Sequence, residues 1–483
     1  RYLQSLEKNP NYPYTVTKVR MCTGDNGPPE LRLSEFVRDW NERYASPRLV
    51  IAKTRDAFVH LEKEFGDQIP AYRGTLAPYW EDGAGSSADE TARARRAAKS
   101  MVAAETIWAM AGGVDEQSAS SRRRLQGLQE ELDQTWDNLL LYDEHTWGAF
   151  NSISEPDADF VKQQWAIKGA FARDAERDAD RLVQSGLEAL AGNIETGDDV
   201  TIVVFNPCSW ERTDVARYRT DEGAPLAIVD SRGDRLAHVV SDDGIVSFIA
   251  RDVPALGYRT YRIVQPERAG EPLIEQAVAN PETGRLKSRH FDVTLDPETA
   301  SIARIETPGG FLKSDSVLTT GGFNRYIYNT EGDPKNVAFA QNASIRWVAP
   351  DSPDGAALVM RSKAPGCIAL EQKIEVHGEL PWIDITNTVE RGDVRVPEGL
   401  YFDFPFQPLG DAQMRYEAAW TAVRLEEDLL PGSCRNFLCV QHGIELRGED
   451  QSVVLTPIDA PLIEIGEIHE NTRHHQLRVY ESL

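Results

Sequence analysis

Three short segments of this chain gather residue types that can do chemistry. The richest is Tyr142-Asp143-Glu144-His145-Thr146-Trp147-Gly148. Nine histidines serve 483 residues, and this one stands among two acids and two aromatics. A neutral imidazole is a good zinc ligand, and a neighbouring carboxylate can orient its other nitrogen. Tyr142 and Trp147 offer flat apolar faces of the kind that suit the C–H face of a pyranose ring. The same histidine, taken alone, could equally cap the last carbonyls of a helix. A second segment, Pro78-Tyr-Trp-Glu-Asp-Gly-Ala-Gly-Ser-Ser87, sets Trp80 beside Glu81 and Asp82, with Gly83 and Gly85 permitting a tight loop. It fits a binding loop, or an ordinary lead into a helix. In the third, Gly24-Asp-Asn-Gly-Pro-Pro29, Asp25 sits on a Gly/Pro loop after an apolar stretch. Such a place is common for catalytic carboxylates in α/β folds, and common for plain turns.

Other chemistries are absent. No Walker loop, GxGxxG after a strand, GxSxG or HExxH occurs. The net charge of −25 repels phosphate backbones and anionic lipid, so nucleic acid and membrane are excluded as expected partners. No run approaches the ~18 apolar residues of a membrane span, and no signal peptide is visible. A neutral substrate such as a sugar suits this surface. Five cysteines are scattered without a CxxC, which points to reduced thiols and a cytoplasmic setting; the spacing also allows a Cys434–Cys439 bridge. The chain starts at Arg1 in helix-like sequence and stops at Leu483 without a closing element, so both ends read as cut.

The surrounding pattern divides into four. Residues 1–75 have α/β texture: Thr15–Met21 and Arg48–Ala52 read as short strands. Between them Ser34–Tyr44 puts Phe36, Val37, Trp40 and Tyr44 on one helical face, with Ser34 as N-cap, and Asp56–Phe65 is again helical. Residues 76–195 predict a bundle of three long helices. The first opens on a capping box, Ser87 to Glu90, and buries Ala94, Ala97, Met101, Ala104 and Trp108. The second carries Leu125, Leu128, Leu132, Trp136 and Leu139, and the third Phe160, Trp165, Ala172, Leu182 and Leu187. Residues 196–268 read as a small β domain, beginning with Thr201–Phe205 and the Asn206-Pro207 turn. A Pro/Glu/Gly-rich link follows near 266–282, and 269–483 predicts a β-sandwich. The whole is a multidomain α+β chain.

In this order the segments resemble glycoside hydrolase family 38 and its bacterial relatives. The resemblance runs through GDNGPP (24–29), WNERYASPRLVIAKTRDAF (40–58), PYWEDGAGSSADET (78–91), YDEHTWGA (142–149), FNPCSWERTDV (205–215) and HFDVTLDPETASIARI (290–305). It implies that residues 1–75 are the C-terminal part of a seven-stranded β/α-barrel-like catalytic domain, followed by the bundle and by sandwiches of the galactose-mutarotase type. It further implies retaining hydrolysis of terminal α-mannosides in oligosaccharides at one zinc, or another divalent cation. By motif, His145 would be a zinc ligand and Asp25 the general acid/base. Trp80, Asp82, Glu144 and Trp147 would line the sugar. The nucleophile and the other ligands would lie upstream of Arg1, so the chain by itself is expected to be inactive. Two departures stand out: the Asp25 loop has less glycine than is usual, and Glu144-His145-Thr146 replaces the family's His-His-Asp. The alternatives are a glycosidase of the same scaffold for another sugar, and a non-catalytic carbohydrate-binding protein. The expected partner is a glycan, and homo-oligomerisation is left open.

Overall fold

The structure is a computed structural model. It describes residues 2–465 apart from 20–26, 76–79, 112–118, 146, 147, 153, 198, 221–226, 242, 266–275, 309, 315–321, 331–335, 393, 395–397, 408–412, 436 and 449–451. The chain divides into two compact units, Arg1–Gly74 and Thr75–Leu483.

The first unit is helical where a mixed α/β texture was expected. It contains α1 (Tyr2–Glu7), α2 (Leu33–Arg43) and α3 (Thr54–Phe65). Neither expected strand forms among its described residues. A strand needs a neighbouring ladder for its peptide groups, and here the Asn41 side chain takes that role. Its Nδ2 donates to Leu49 O at 2.8 Å and its Oδ1 accepts from Leu49 N at 2.9 Å. Ser34 is not the N-cap: α2 begins at Leu33, and the Ser34 hydroxyl donates to Glu35 Oε2 at 3.0 Å. At the start of α3, Asp56 accepts from Lys53 N at 3.1 Å, satisfying one of the orphan amides. No described residue of this unit is buried.

The second unit begins with a bundle. A 3₁₀ segment, Trp80–Ser87, leads into α4 (Ala88–Ala111), and α5 (Ala119–Tyr142) and α6 (Asp159–Ala191) follow. The apolar positions fall three and four apart and make one core. Ala94, Ala97, Met101 and Ala104 of α4 meet Leu132 and Leu139 of α5 and Ala172, Ala175, Ala179 and Leu182 of α6. The run is up-down-up. Tyr142 lies against Thr91 and Trp136 against Glu105, whereas Arg93 pairs with Glu176 and Ser100 with Asp180. Small side chains let α4 and α6 approach closely; a Cβ on Gly186 would lie 2.8 Å from Ile107 Cγ2. Phe160, expected on the apolar face, is exposed, and Val161 takes its place in the core.

From Thr201 onward every described element is an antiparallel strand. Two small sheets share a core of Ile202, Ile228, Phe248 and Tyr261. Asn206 ties their ends: its Nδ2 donates to Val253 O at 3.0 Å and its Oδ1 accepts from Cys208 N at 3.0 Å, the Asx turn that Asn-Pro signals. Three further sheets follow, with Leu286, Val293, Ile302, Phe323, Leu358, Met360 and Ile374 packed together. The region expected to be a link to 282 already contains the strand Val278–Asn280. The last sheets, between Gln413 and Glu464, have their own core of Tyr416, Leu425, Val440 and Ile444. Thr75 joins them, donating to Asp428 O at 2.9 Å and accepting from Leu430 N at 3.0 Å. Cys434 and Cys439 do not form the bridge their spacing allows; both are thiols, as are Cys208 and Cys367. Among the described residues no helix is long and apolar enough to cross a membrane.

Candidate functional site

The Tyr142 segment leaves the C-terminal end of α5 and is held from two sides. On one side the Tyr142 ring is buried and its hydroxyl lies 2.8 Å from Thr91 Oγ1 and 3.1 Å from Ser87 Oγ. Thr91 in turn donates to Ala84 O at 3.0 Å. Ser87, which directly precedes α4 where the capping-box reading puts the N-cap, also meets Tyr142 through its hydroxyl. These bonds bring the second candidate segment against the first: the 3₁₀ turn carrying Trp80–Ser87 and the Tyr142–His145 turn share one buried hydroxyl network. Burial pushes the Tyr142 phenol pKa up, so the hydroxyl stays protonated.

On the other side α6 holds the segment. Lys168 pairs with Glu144, and Glu144 Oε2 lies 3.2 Å from His145 Nδ1. The Lys168 side chain is only 14 % exposed; burial lowers its pKa, and the Glu144 carboxylate beside it opposes that shift. Trp165 packs over Gly148, whose φ of +58° suits glycine and whose added Cβ would lie 2.3 Å from Trp165 Cη2. Gln164 accepts from Phe150 N at 3.1 Å. Gln164 and Trp165 on one turn of α6 and Lys168 on the next are the residues that sequence reasoning missed as positioning groups. Gln164 and Trp165, a polar and an aromatic residue together early in the helix that follows the loop, gave a usable signal; Lys168 gave none.

The resulting geometry presents His145 outward, with its side chain 87 % exposed, on a segment whose backbone is clamped. Glu144 can orient the imidazole through Nδ1, which leaves Nε2 directed away from that contact. Asp143 is open to solvent, but protein surrounds its carboxyl on most sides and loss of hydration pushes its pKa up; solvent access limits the effect. Among the described residues no three or more His, Cys, Asp or Glu gather as a metal site. A zinc site takes three or four protein ligands, so the described residues do not complete one.

Asp25 and Trp147 lie outside the described residues, as do the side chains of Trp80 and Asp82, of which only the 3₁₀ backbone is described. Of the candidate residues, Glu144 and His145 are described, and their side chains are in contact.

A helix bundle followed by antiparallel β-sheets, with a clamped histidine turn at the bundle end, defines a multidomain α+β protein. Neither a family model nor a curated protein matches the sequence. Solved structures do match in fold. An alpha-mannosidase from Enterococcus faecalis V583 superposes with a TM-score of 0.63 and 12 % identity, over 91 % of this chain and 57 % of that chain. A protein in the glycosyl hydrolase family 38 from Enterococcus faecalis gives a TM-score of 0.67 and 12 % identity, over 97 % and 60 %. The chain shares the fold of these two structures and spans less than two thirds of the length of either.

Proposed function

We propose that this chain is part of a retaining, zinc-dependent glycoside hydrolase acting on terminal α-mannosides of oligosaccharides. The observation that carries the proposal is the clamped Tyr142–His145 turn, set at the bundle end of a chain that shares its fold with an α-mannosidase. In this reading His145 supplies one zinc ligand, and the other ligands come from outside the described residues. Asp25 is the general acid/base, and Trp80, Asp82, Glu144 and Trp147 contact the sugar. A retaining reaction needs two carboxyl groups about 5–5.5 Å apart, one to attack the anomeric carbon and one to protonate the leaving oxygen. Asp25 must hold its proton at working pH, which calls for burial or a nearby negative charge. Zinc when bound would polarise sugar hydroxyls; what this chain contributes is the fixed orientation of His145 through Glu144 and Lys168. The four-part division at 75, 195 and 268 belongs to the same proposal, as does the barrel-like character of the first part.

The test is hydrolysis of an aryl α-mannoside by the entire natural protein, with chelator and then with added zinc. Activity that falls with chelator and returns with zinc is the expected outcome, and His145→Ala should remove both activity and one equivalent of bound zinc by elemental analysis. The 483-residue chain alone should be inactive; robust turnover by it would overturn the assignment of the nucleophile to another segment. A second reading, the same scaffold acting on a different sugar, is favoured by the Lys168–Glu144 pair, which puts a mostly buried ammonium where the resembling family carries a different triplet. A panel of aryl glycosides separates the two readings: turnover of another glycoside with none on mannoside selects the second.

A further inference from the structure

We propose that the hairpin tip Ala419–Trp420, with the adjoining Gln441–His442 turn, forms a saccharide-binding platform outside the Tyr142–His145 segment. The proposal rests on the carbohydrate class given above and adds a second site to it.

Strands Gln413–Ala418 and Thr421–Arg424 pair so that Ala418 faces Thr421, which leaves a two-residue turn. Ala419 and Trp420 both have positive φ, +49° and +62°. Turns of this kind favour Asn-Gly, because other side chains are strained there. The chain instead holds a tryptophan at the position, 66 % exposed. Its backbone is braced: Gln441 Oε1 accepts from Trp420 N at 2.9 Å, and Gln441 N donates to Glu417 O at 2.8 Å. Beside the ring stands His442, with centroids 5.4 Å apart, and its Nδ1 lies 3.0 Å from Glu417 Oε2. The His442 and Glu417 side chains are each about one third exposed, at 32 % and 31 %. The arrangement sets one open indole face next to an imidazole and a carboxylate that fix each other.

That mixture selects its ligand. A purely apolar partner would leave Glu417 and His442 desolvated without compensation. An anion meets a chain of net charge −25. A small cation would have to compete with His442 for the Glu417 carboxylate. A neutral saccharide satisfies the whole set, with C–H groups against the indole and hydroxyls toward imidazole and carboxylate. The platform is also rigidly joined to the bundle. Arg95 of α4 donates to Val440 O at 3.0 Å and to Gln441 O at 2.9 Å. Arg95 lies one turn after Thr91, the partner of Tyr142, so both saccharide-directed segments hang on the same stretch of α4.

The test is a calorimetric titration of the 483-residue chain with linear manno-oligosaccharides, malto-oligosaccharides and tetramethylammonium. The variant Ala419→Asn/Trp420→Gly removes the ring and installs the preferred turn residues, so it should melt no lower than the natural chain. Ala419→Asn alone keeps the ring. Expected are millimolar binding of an oligosaccharide, retention in the single variant, and loss of at least about tenfold in the double variant, as truncating a central aromatic contact commonly gives. Equal binding by the double variant overturns the proposal, as does absence of binding by any saccharide. Binding of tetramethylammonium in place of sugar overturns the ligand class. The catalytic reading fails separately: no hydrolysis of any aryl glycoside by the entire natural protein, with Trp420-dependent binding intact, rejects the enzyme and keeps the platform.

Discussion

At the scale of single residues, the pair Lys168–Glu144 decides how firmly His145 is presented. Both groups lose hydration on folding, and each is tolerable because the other is there. Lys168→Met keeps the length and apolar stem but strands the Glu144 carboxylate. A loss of roughly 1–3 kcal/mol in urea unfolding is expected. Adding Glu144→Gln should recover much of it, since the stranded charge and not the missing contact is the larger cost. Equal losses in the single and double variants would contradict this. The glutamate and histidine were legible in the sequence, because two acids, a histidine and two aromatics in seven residues are conspicuous. The lysine was not: it lies 24 positions away on another helix, and no local pattern distinguishes a lysine that folds back from one that faces water.

At the scale of elements, the turn after α5 is shaped by Gly148. Alanine there meets both a left-handed backbone and the Trp165 ring. Gly148→Ala should therefore cost about 2–4 kcal/mol of stability, measured by thermal or urea unfolding. A different element gives a pH dependence. His377, at the end of the strand Cys367–Val376, is buried. Its Nε2 lies 2.8 Å from Asp384 Oδ2, and its Nδ1 is 4.0 Å from Asp354 Oδ1 without a hydrogen-bond partner. Burial opposes its charge, but Asp384, Glu375 and Asp354 outweigh that and raise its pKa. A histidine with a raised folded pKa stabilises fully below its unfolded value of about 6.5. It loses that contribution as pH rises through the folded value. Melting temperature should thus fall from pH 6 upward in the natural chain more steeply than in His377→Gln; parallel pH profiles would refute the assignment. The β region of the second unit was legible in part. Thr201–Phe205 falls within the observed strand Thr201–Asn206, because an apolar run before a turn signal carries the pattern. Among the described residues of 1–75 the expected strands are absent, since an apolar run specifies a strand only where a neighbour offers the ladder.

At the scale of the molecule, the two units differ in kind. Residues 75–465 contain several separate apolar cores, in the bundle and in each group of sheets. Residues 2–74 contain three helices and no buried side chain among those described, with Leu31, Val50, Ile51, Phe58 and Val59 all exposed. Aromatic rings meet along α2, as Trp40 and Tyr44 do at 4.5 Å, and at Tyr12, Tyr14 and Phe65, but none of them is buried. Helices of 11 and 12 residues are marginal in water without tertiary packing. Apolar burial at roughly 25 cal/mol per Å² is what must offset the entropy of ordering the chain, and this unit has little of it. Residues 1–74 expressed alone should therefore show no cooperative thermal transition and low amide protection. Residues 75–483 should unfold cooperatively, with slow exchange at the alanine-lined contact of α4 and α6. A cooperative transition in the shorter piece would mean that its helices pack on one another more fully than the exposure of these side chains allows. The composition alone did not foretell this contrast, because the apolar residues of the first unit are as regularly spaced as those of the bundle. What differs is whether a second face of matching shape is present to receive them.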